Sequence, residues 1–204
     1  MKTFCATILL LVAVVAPAFA QQFDVGIRAG ANLADFSLPK VSFEEGSLSG
    51  GDLRVGFETA LVARFTILRH LYMQTEFEYG HTRYQLRYES RQPLRLVTLQ
   101  ANRVELPLML GLRFGPVAIF GGTFLRIAHN EKSSDPTLAK VQFNDSEVGV
   151  MGGLGVNIRK FFIEARVTGY PKTSVTAIVE SNGISQKVDV GRNIRYSLSA
   201  GIFF

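Results

Sequence analysis

The stretch that decides the fold is FDVGIRAGANL, residues 23–33. Its odd-numbered residues are all apolar, whereas its even-numbered residues are Asp24, Arg28, Asn32 and two glycines. Successive side chains of a β-strand point to opposite faces, so a period of two predicts a strand with one apolar and one polar face. The length of the stretch is about what a tilted strand needs to cross a hydrocarbon layer.

The same alternation recurs along the rest of the chain. Seven further runs lie near residues 52–65, 71–79, 103–114, 117–128, 147–158, 163–168 and 193–204. Short connections near 66–70, 114–116 and 159–160 alternate with long polar ones near 35–51, 81–93, 129–145 and 170–190. Short periplasmic turns and long external loops are typical of outer-membrane barrels. The sequence therefore predicts an all-β fold, an eight-stranded antiparallel up-and-down transmembrane β-barrel.

The first twenty residues have the layout of a secretory signal. Lys2 supplies the charged start, residues 8–16 form an apolar run, and residues 18–20 read Ala-Phe-Ala. We expect cleavage after Ala20, so residues 1–20 form the signal peptide. Export of a chain with this pattern points to the outer membrane of a Gram-negative bacterium.

Residues 21–204 are interpreted as one barrel domain, because no Pro- or Ser-rich linker divides them. Cys5 is the only cysteine and lies inside the predicted signal, so we expect no disulfide in the mature chain. The formal net charge of +5 is spread without a basic block, so no nucleic-acid partner is expected. Three scattered histidines predict no metal site, and no motif implies a cofactor.

Charged side chains of both signs lie on the polar faces of the predicted strands. They can neutralise one another if they converge on one enclosed space, and glycines on the same faces leave room for them. We therefore expect the polar faces to line the barrel axis and the apolar faces to contact lipid. A soluble barrel with its charges in water is the alternative. The predicted lumen charge network consists of Arg28, Arg54, Glu58, Glu76, Glu78, Arg103, Glu105, Glu147, Glu164, Arg166 and Arg195.

Four stretches resemble the PorT-like, or porin-family, outer-membrane β-barrel proteins of the Bacteroidetes type. They are VGIRAGANL at 25–33, LYMQTEFEY at 71–79, VELPLML at 104–110 and FIEAR at 162–166. Many family members have proline where Thr75 stands. The resemblance extends over nearly all of the mature chain and implies the barrel fold, but it implies neither an activity nor a pore.

Three functions remain open. A small barrel is filled by its own side chains, which favours a plugged, charge-paired lumen and a structural, binding or secretion-associated role for the external loops. The alternative is a narrow porin-like channel for small solutes. The third is a lipid A hydrolase at the outer rim, built on His81 and His129 with Glu89, Ser90, Glu131 and Ser133. No motif fixes such a site, so we predict no catalytic residue and expect no enzyme.

The second long loop carries a candidate lipopolysaccharide contact. Its arginines alternate with Tyr84, Leu86 and Tyr88, which predicts a hairpin above the membrane with a register change near Gly80. Arginine forks match phosphate oxygens, although a merely solvated hairpin has the same pattern. The candidate contact residues are Arg83, Arg87 and Arg91.

The last residue, Phe204, lies on the apolar face of the last predicted strand. Many outer-membrane barrels present such a C-terminal aromatic residue to the barrel-insertion machinery. The expected partners are therefore outer-membrane lipid, lipopolysaccharide and that machinery, whereas no particular protein partner is indicated.

Overall fold

The computed structural model describes most of the chain from Gln22 onward. The predicted signal peptide lies outside the described residues. The described residues are 22–36, 41–43, 46–50, 54–90, 95–133, 140–145, 147–170, 173–178, 189–190 and 193–204. Within these ranges, no helix is long and apolar enough to cross a membrane.

Eight long strands follow one another along the chain. Each forms where the sequence alternates apolar and polar residues, which suits a pleated sheet with two different environments. They are β1 (Gln22–Phe36), β2 (Val55–Leu68), β3 (Leu71–Ser90), β4 (Arg95–Phe114), β5 (Val117–Ser133), β6 (Val148–Ile158), β7 (Phe161–Gly169) and β8 (Asn193–Phe203).

These strands form a closed antiparallel barrel. Every strand pairs with its neighbours in the chain, and β8 pairs with β1 from Gly26↔Phe203 to Phe36↔Asn193. Closure leaves no strand edge in the barrel wall, as a lipid environment requires. The prediction of an eight-stranded up-and-down barrel is confirmed.

Three two-residue turns lie at one end of the barrel, at residues 69–70, 115–116 and 159–160. Gly115 and Arg159 open the last two turns with positive φ, at 61° and 57°. Positive φ at the start of a two-residue hairpin loop is typical of turns that match the strand twist. The described chain also begins and ends at this end of the barrel, because Gln22 pairs with Thr66 and Phe204 donates its N–H to Val25 O.

At the opposite end, β3, β4 and β5 rise above the other strands. β3 and β4 are 20 residues long each, and they pair without a register shift from Leu71↔Leu112 to Tyr88↔Arg95. The hairpin expected here is present, but the register change expected near Gly80 is wrong. The pleat continues in phase, and what changes at this level is the polarity of the residues on the outer face.

Five short strands lie in the long connections. The strand Gly46–Gly50 pairs with β3 and with Val41–Phe43, so it widens the sheet above the barrel. Three more strands form a separate sheet. Its middle strand is Thr173–Ile178, and the two outer strands are Lys140–Asp145 and Asp189–Val190.

The outer surface of the barrel is apolar. Exposed and buried residues alternate from Val55 to Val62 in β2 and from Phe161 to Thr168 in β7. Each strand presents large apolar side chains outward, with exposed fractions of 46% to 61% in one example per strand. A water-soluble protein rarely shows a continuous apolar surface of this extent, whereas a lipid-facing barrel requires it. The examples are Ile27, Leu61, Phe77, Leu110, Ile119, Leu154, Ile163 and Leu198.

Candidate functional site

The interior of the barrel holds the charged side chains. Among the described residues, the buried charged side chains are five arginines and five glutamates, so their formal charges cancel. A buried charge is tolerated when it is paired and hydrogen-bonded. The ten residues are Arg28, Arg64, Arg103, Arg166, Arg195, Glu58, Glu76, Glu78, Glu105 and Glu164.

Arg28 lies at the centre of this network. Its Nη1 donates to Glu58, and its Nη2 lies 2.9 Å from Glu76 Oε2 and 2.7 Å from Glu78 Oε2. The glutamates come from β2 and β3, which follow β1 around the wall. One guanidinium therefore joins three carboxylates and offsets part of their mutual repulsion.

A second bridge crosses the whole lumen. Arg166 on β7 contacts both carboxylate oxygens of Glu76, at 2.5 and 2.8 Å, and it also pairs with Glu164 on its own strand. In the closed order of eight strands, β3 and β7 lie opposite each other. The Glu76–Arg166 pair therefore spans the diameter of the barrel.

Two further contacts join opposite strands at other heights. Arg195 on β8 donates through Nη2 to Glu105 Oε2 on β4 at 2.7 Å. Arg64 on β2 donates through Nη1 to Asn157 Oδ1 on β6 at 2.7 Å. Three of the four pairs of opposite strands are thus bridged across the axis.

Aromatic and other apolar side chains fill the space that the charges leave. Arg64 lies between the rings of Tyr72 and Phe203, each centroid 4.5 Å from its guanidinium carbon. Arg166 lies 5.5 Å from the centroid of Phe120, within the range of a cation–π contact. These contacts allow apolar rings and charged groups to pack in one interior. Two buried apolar clusters lie inside the lumen, and they consist of Ala60, Val62, Tyr72, Met109, Ala118, Phe120, Phe124, Met151, Phe162 and Phe203.

The inward-facing glycines make room for this filling. A Cβ atom on Gly80 would collide with the Arg103 guanidinium, and one on Gly111 would collide with the Tyr72 ring. Glycine suits a strand where another group approaches the backbone closely. The glycines therefore leave free space next to the backbone, and long inward side chains such as those of Arg103 and Tyr72 occupy it.

The structure brings together nine of the eleven residues of the predicted network. Arg54 and Glu147 are exceptions, because both are exposed just before β2 and β6 begin. Their positions in the alternating pattern are those of inward residues, but both residues lie beyond the rim of the barrel. Arg64 is a buried member that the predicted network omits, although its polar-face position in β2 is a signal that could have placed it there. Tyr170 also joins the network, with its hydroxyl 3.0 Å from Glu105 Oε1.

The two histidines of the hydrolase hypothesis, His81 and His129, lie near the upper rim of the barrel. His81 has Nδ1 2.7 Å from Asn102 Oδ1 and accepts at Nε2 from Arg83, so both ring nitrogens are engaged by groups other than an acid. His129 is exposed, and its backbone pairs with that of Arg103. The side chains of the suggested Ser and Glu partners lie outside the described part of the structure.

Of the three candidate lipopolysaccharide residues, Arg83 is described in full. Its side chain is exposed, and its backbone pairs with that of Gln100. Arg87 occupies a described position in β3, opposite Leu96, but its side chain is not described. Arg91 lies outside the described residues.

Comparison with known proteins agrees with this architecture. Residues 19–169 match the family model described as outer membrane protein beta-barrel domain. The chain belongs to this family of outer-membrane β-barrels. No curated protein matches the chain.

Solved structures of outer-membrane barrels share the fold. OprG from Pseudomonas aeruginosa aligns with a TM-score of 0.55 at 12% identity, covering 89% of this chain and 95% of that one. AlkL, solved in DMPC bilayers by solid-state NMR, aligns with a TM-score of 0.50 at 15% identity, covering 91% and 92%. Ail from Yersinia pestis gives a TM-score of 0.47 at 15% identity, covering 90% and 100%. At identities this low, the alignments with OprG and AlkL show a common fold and no more.

Proposed function

We propose that this outer-membrane barrel has a sealed lumen and acts through its external part as a structural, binding or secretion-associated component. The observation that carries the proposal is the set of contacts between opposite strands. Glu76–Arg166 joins β3 to β7, Arg195–Glu105 joins β8 to β4, and Arg64 joins β2 to Asn157 on β6.

A solute moving along the axis would meet all three contacts in turn. Each contact would have to break and leave charged groups unpaired, at a cost of several kcal/mol per buried ion. The apolar rings around them leave little room for a bypass, in keeping with the narrow interior of an eight-stranded barrel. The external sheets are not part of this seal, so they are the surface available for binding.

Planar-bilayer recording of the refolded full chain tests the seal. We expect no current steps above those of the empty bilayer. Glu76→Ala with Arg166→Ala removes the β3–β7 bridge as a neutral pair, and we expect this variant to stay closed as well, because Arg195–Glu105 and Arg64–Asn157 still cross the axis. Steps from the wild-type protein that persist after washing would show a narrow channel instead and would overturn the proposal.

The narrower assignments rest on the sequence. The stretches at 25–33, 71–79, 104–110 and 162–166 support a PorT-like protein of the Bacteroidetes type, and the Ala-Phe-Ala tripeptide supports cleavage after Ala20. Mass spectrometry of the protein from outer-membrane fractions should then give a mature chain that starts at Gln21. A chain that retains residues 1–20 in that fraction would contradict the cleavage site.

A further inference from the structure

The outer face of β3 changes from apolar to polar over a short distance. Phe77 and Tyr79 are outward residues with large exposed areas, and the next outward residues are His81 and Arg83. The register with β4 is unbroken here, so all four belong to the same face. The apolar surface of this strand therefore ends at Tyr79.

The neighbouring strand changes at the same level. Val104 lies opposite Tyr79, Asn102 lies opposite His81, and Gln100 lies opposite Arg83. A change of polarity at one height on β3 and β4 indicates the boundary between the hydrocarbon layer and the headgroup layer on this side of the site. On the other side, β2 still presents Phe57 outward, opposite His81.

A chain of hydrogen bonds links the polar residues to the boundary. The Tyr79 hydroxyl donates to Asn102 Oδ1 at 3.0 Å, and His81 Nδ1 lies 2.7 Å from the same oxygen. Since that amide oxygen only accepts, His81 must donate from Nδ1. Its Nε2 then accepts from Arg83 Nε at 3.3 Å. The Phe57 ring stacks on the imidazole with centroids 5.3 Å apart, which fixes the orientation of the histidine.

This arrangement sets the depth of the Arg83 guanidinium. Its Nε is bound to the imidazole, so the charged group is held near the level of His81 rather than extended into water. His81 follows Tyr79 by two residues, which is about 7 Å along the strand and roughly 5 Å along the membrane normal for a strand tilted by about 45°. The headgroup region adds roughly 5–8 Å to each side of the hydrocarbon core. The guanidinium therefore lies at the depth of lipid phosphates.

We propose that Arg83 and Asn102 bind a phosphate of lipid A in the outer leaflet, with His81 as the positioning residue. The two terminal guanidinium nitrogens of Arg83 form a fork that suits phosphate oxygens, and the Asn102 amide nitrogen supplies a further donor. The Phe57 ring lies beside His81 and the Tyr79 ring lies one outward position below it, so both rings border the site on the side of the acyl chains. The outer leaflet is the side of the long connections, so this inference rests on the proposed outer-membrane placement.

Native mass spectrometry of the refolded full chain tests the site, with bisphosphorylated lipid A as the probe. Arg83→Gln should weaken binding about tenfold, the loss expected for one charge-assisted contact. Arg69→Gln is the matched control, because it removes the same charge from an exposed turn at the opposite end of the barrel. It should bind lipid A as the wild type does. His81→Phe should weaken binding less than Arg83→Gln, and Arg83→Lys, which keeps the charge but loses the fork, should lie between Arg83→Gln and the wild type.

Two further arms separate the possible sources of the phosphate. Dephosphorylated lipid A should bind the wild type as weakly as bisphosphorylated lipid A binds Arg83→Gln, and phosphatidylglycerol should bind less tightly than lipid A. Equal binding by wild type, Arg83→Gln and Arg69→Gln would overturn the site, as would equal losses in the two variants. A phosphatidylglycerol affinity equal to that of lipid A would overturn the choice of lipid A. None of these results bears on the sealed lumen, which the conductance of the same preparation reports.

Discussion

Replacing Glu76 by glutamine should destabilise the barrel strongly while leaving its shape unchanged. The side chain is 3% exposed and contacts Arg28, Arg166 and Gln74. The amide has the size of the carboxylate but carries no charge. The interior would then hold five buried arginines against four glutamates, so one positive charge would lack its counterpart.

The expected cost follows from this imbalance. Breaking a buried ion pair by removing one partner typically costs about 3–5 kcal/mol, because the remaining charge is left in a poorly solvated interior. Glu76 accepts hydrogen bonds from two arginines, Arg28 and Arg166, which places Glu76→Gln within that range. Adding Arg166→Gln restores neutrality, so the double variant should be more stable than the sum of the single effects predicts, by about 1–3 kcal/mol.

Urea titration of the protein folded in lipid vesicles measures these free energies of unfolding. Glu147→Gln is the control, since this glutamate is exposed and surface ion pairs contribute less than about 1 kcal/mol. A loss below about 1 kcal/mol for Glu76→Gln, or strict additivity with Arg166→Gln, would refute the reasoning. Either result would mean that water reaches the centre of the lumen and solvates the arginine that has lost its partner.

Two further predictions concern glycines and are measured by the same titration. Gly111→Ala should lower the free energy of unfolding by about 1–3 kcal/mol, because its Cβ would collide with the Tyr72 ring. In Gly121→Ala the Cβ would lie 3.6 Å from the nearest atom, so this variant should be neutral or more stable by up to about 1 kcal/mol. Equal effects of the two substitutions would refute the assignment of inner and outer faces. Gly115→Ala should lower the free energy of unfolding by about 1–2 kcal/mol, since φ is 61° at this position. Arg159→Gly should not destabilise its turn, because glycine adopts a positive φ without strain. An unchanged stability of Gly115→Ala would refute the left-handed conformation of the turn.

The barrel itself could be predicted from the sequence because alternation along each strand records the two environments of its faces. In β1, the apolar odd residues and the polar even residues were enough to give both the strand and its inner face. The short turns at 69–70, 115–116 and 159–160 then fixed the order of the strands. Closure follows from these two facts, because a spanning sheet in lipid cannot leave an edge unpaired.

The expected register change near Gly80 is wrong for a physical reason. The sequence shows apolar residues at odd positions up to Tyr79 and at even positions from Tyr84 onward. A bulge would produce that change if the surroundings of the strand stayed the same. The strand instead leaves the hydrocarbon layer at this level, so polar residues such as Arg83 take the outer face without any break in the pairing.

The membership of the lumen was predicted in part. Arg54 and Glu147 alternate correctly, but periodicity does not show where a strand passes the rim. The inward rings of Phe120, Phe124 and Phe162 interrupt the polar pattern, so periodicity alone does not predict that arginines pack against them. The pairing across the axis depends on which strands lie opposite each other, and only the closed barrel defines that.

The central claim is that the apolar face of the barrel contacts acyl chains, and the surroundings of Leu198 test it most directly. This residue lies in the middle of β8 and is 61% exposed. A fluorophore on Leu198→Cys, which is the single cysteine once the predicted signal peptide is removed, should be quenched strongly by nitroxides carried on lipid acyl chains and weakly by iodide in water. Strong quenching by iodide with none from the lipid nitroxides would contradict the account.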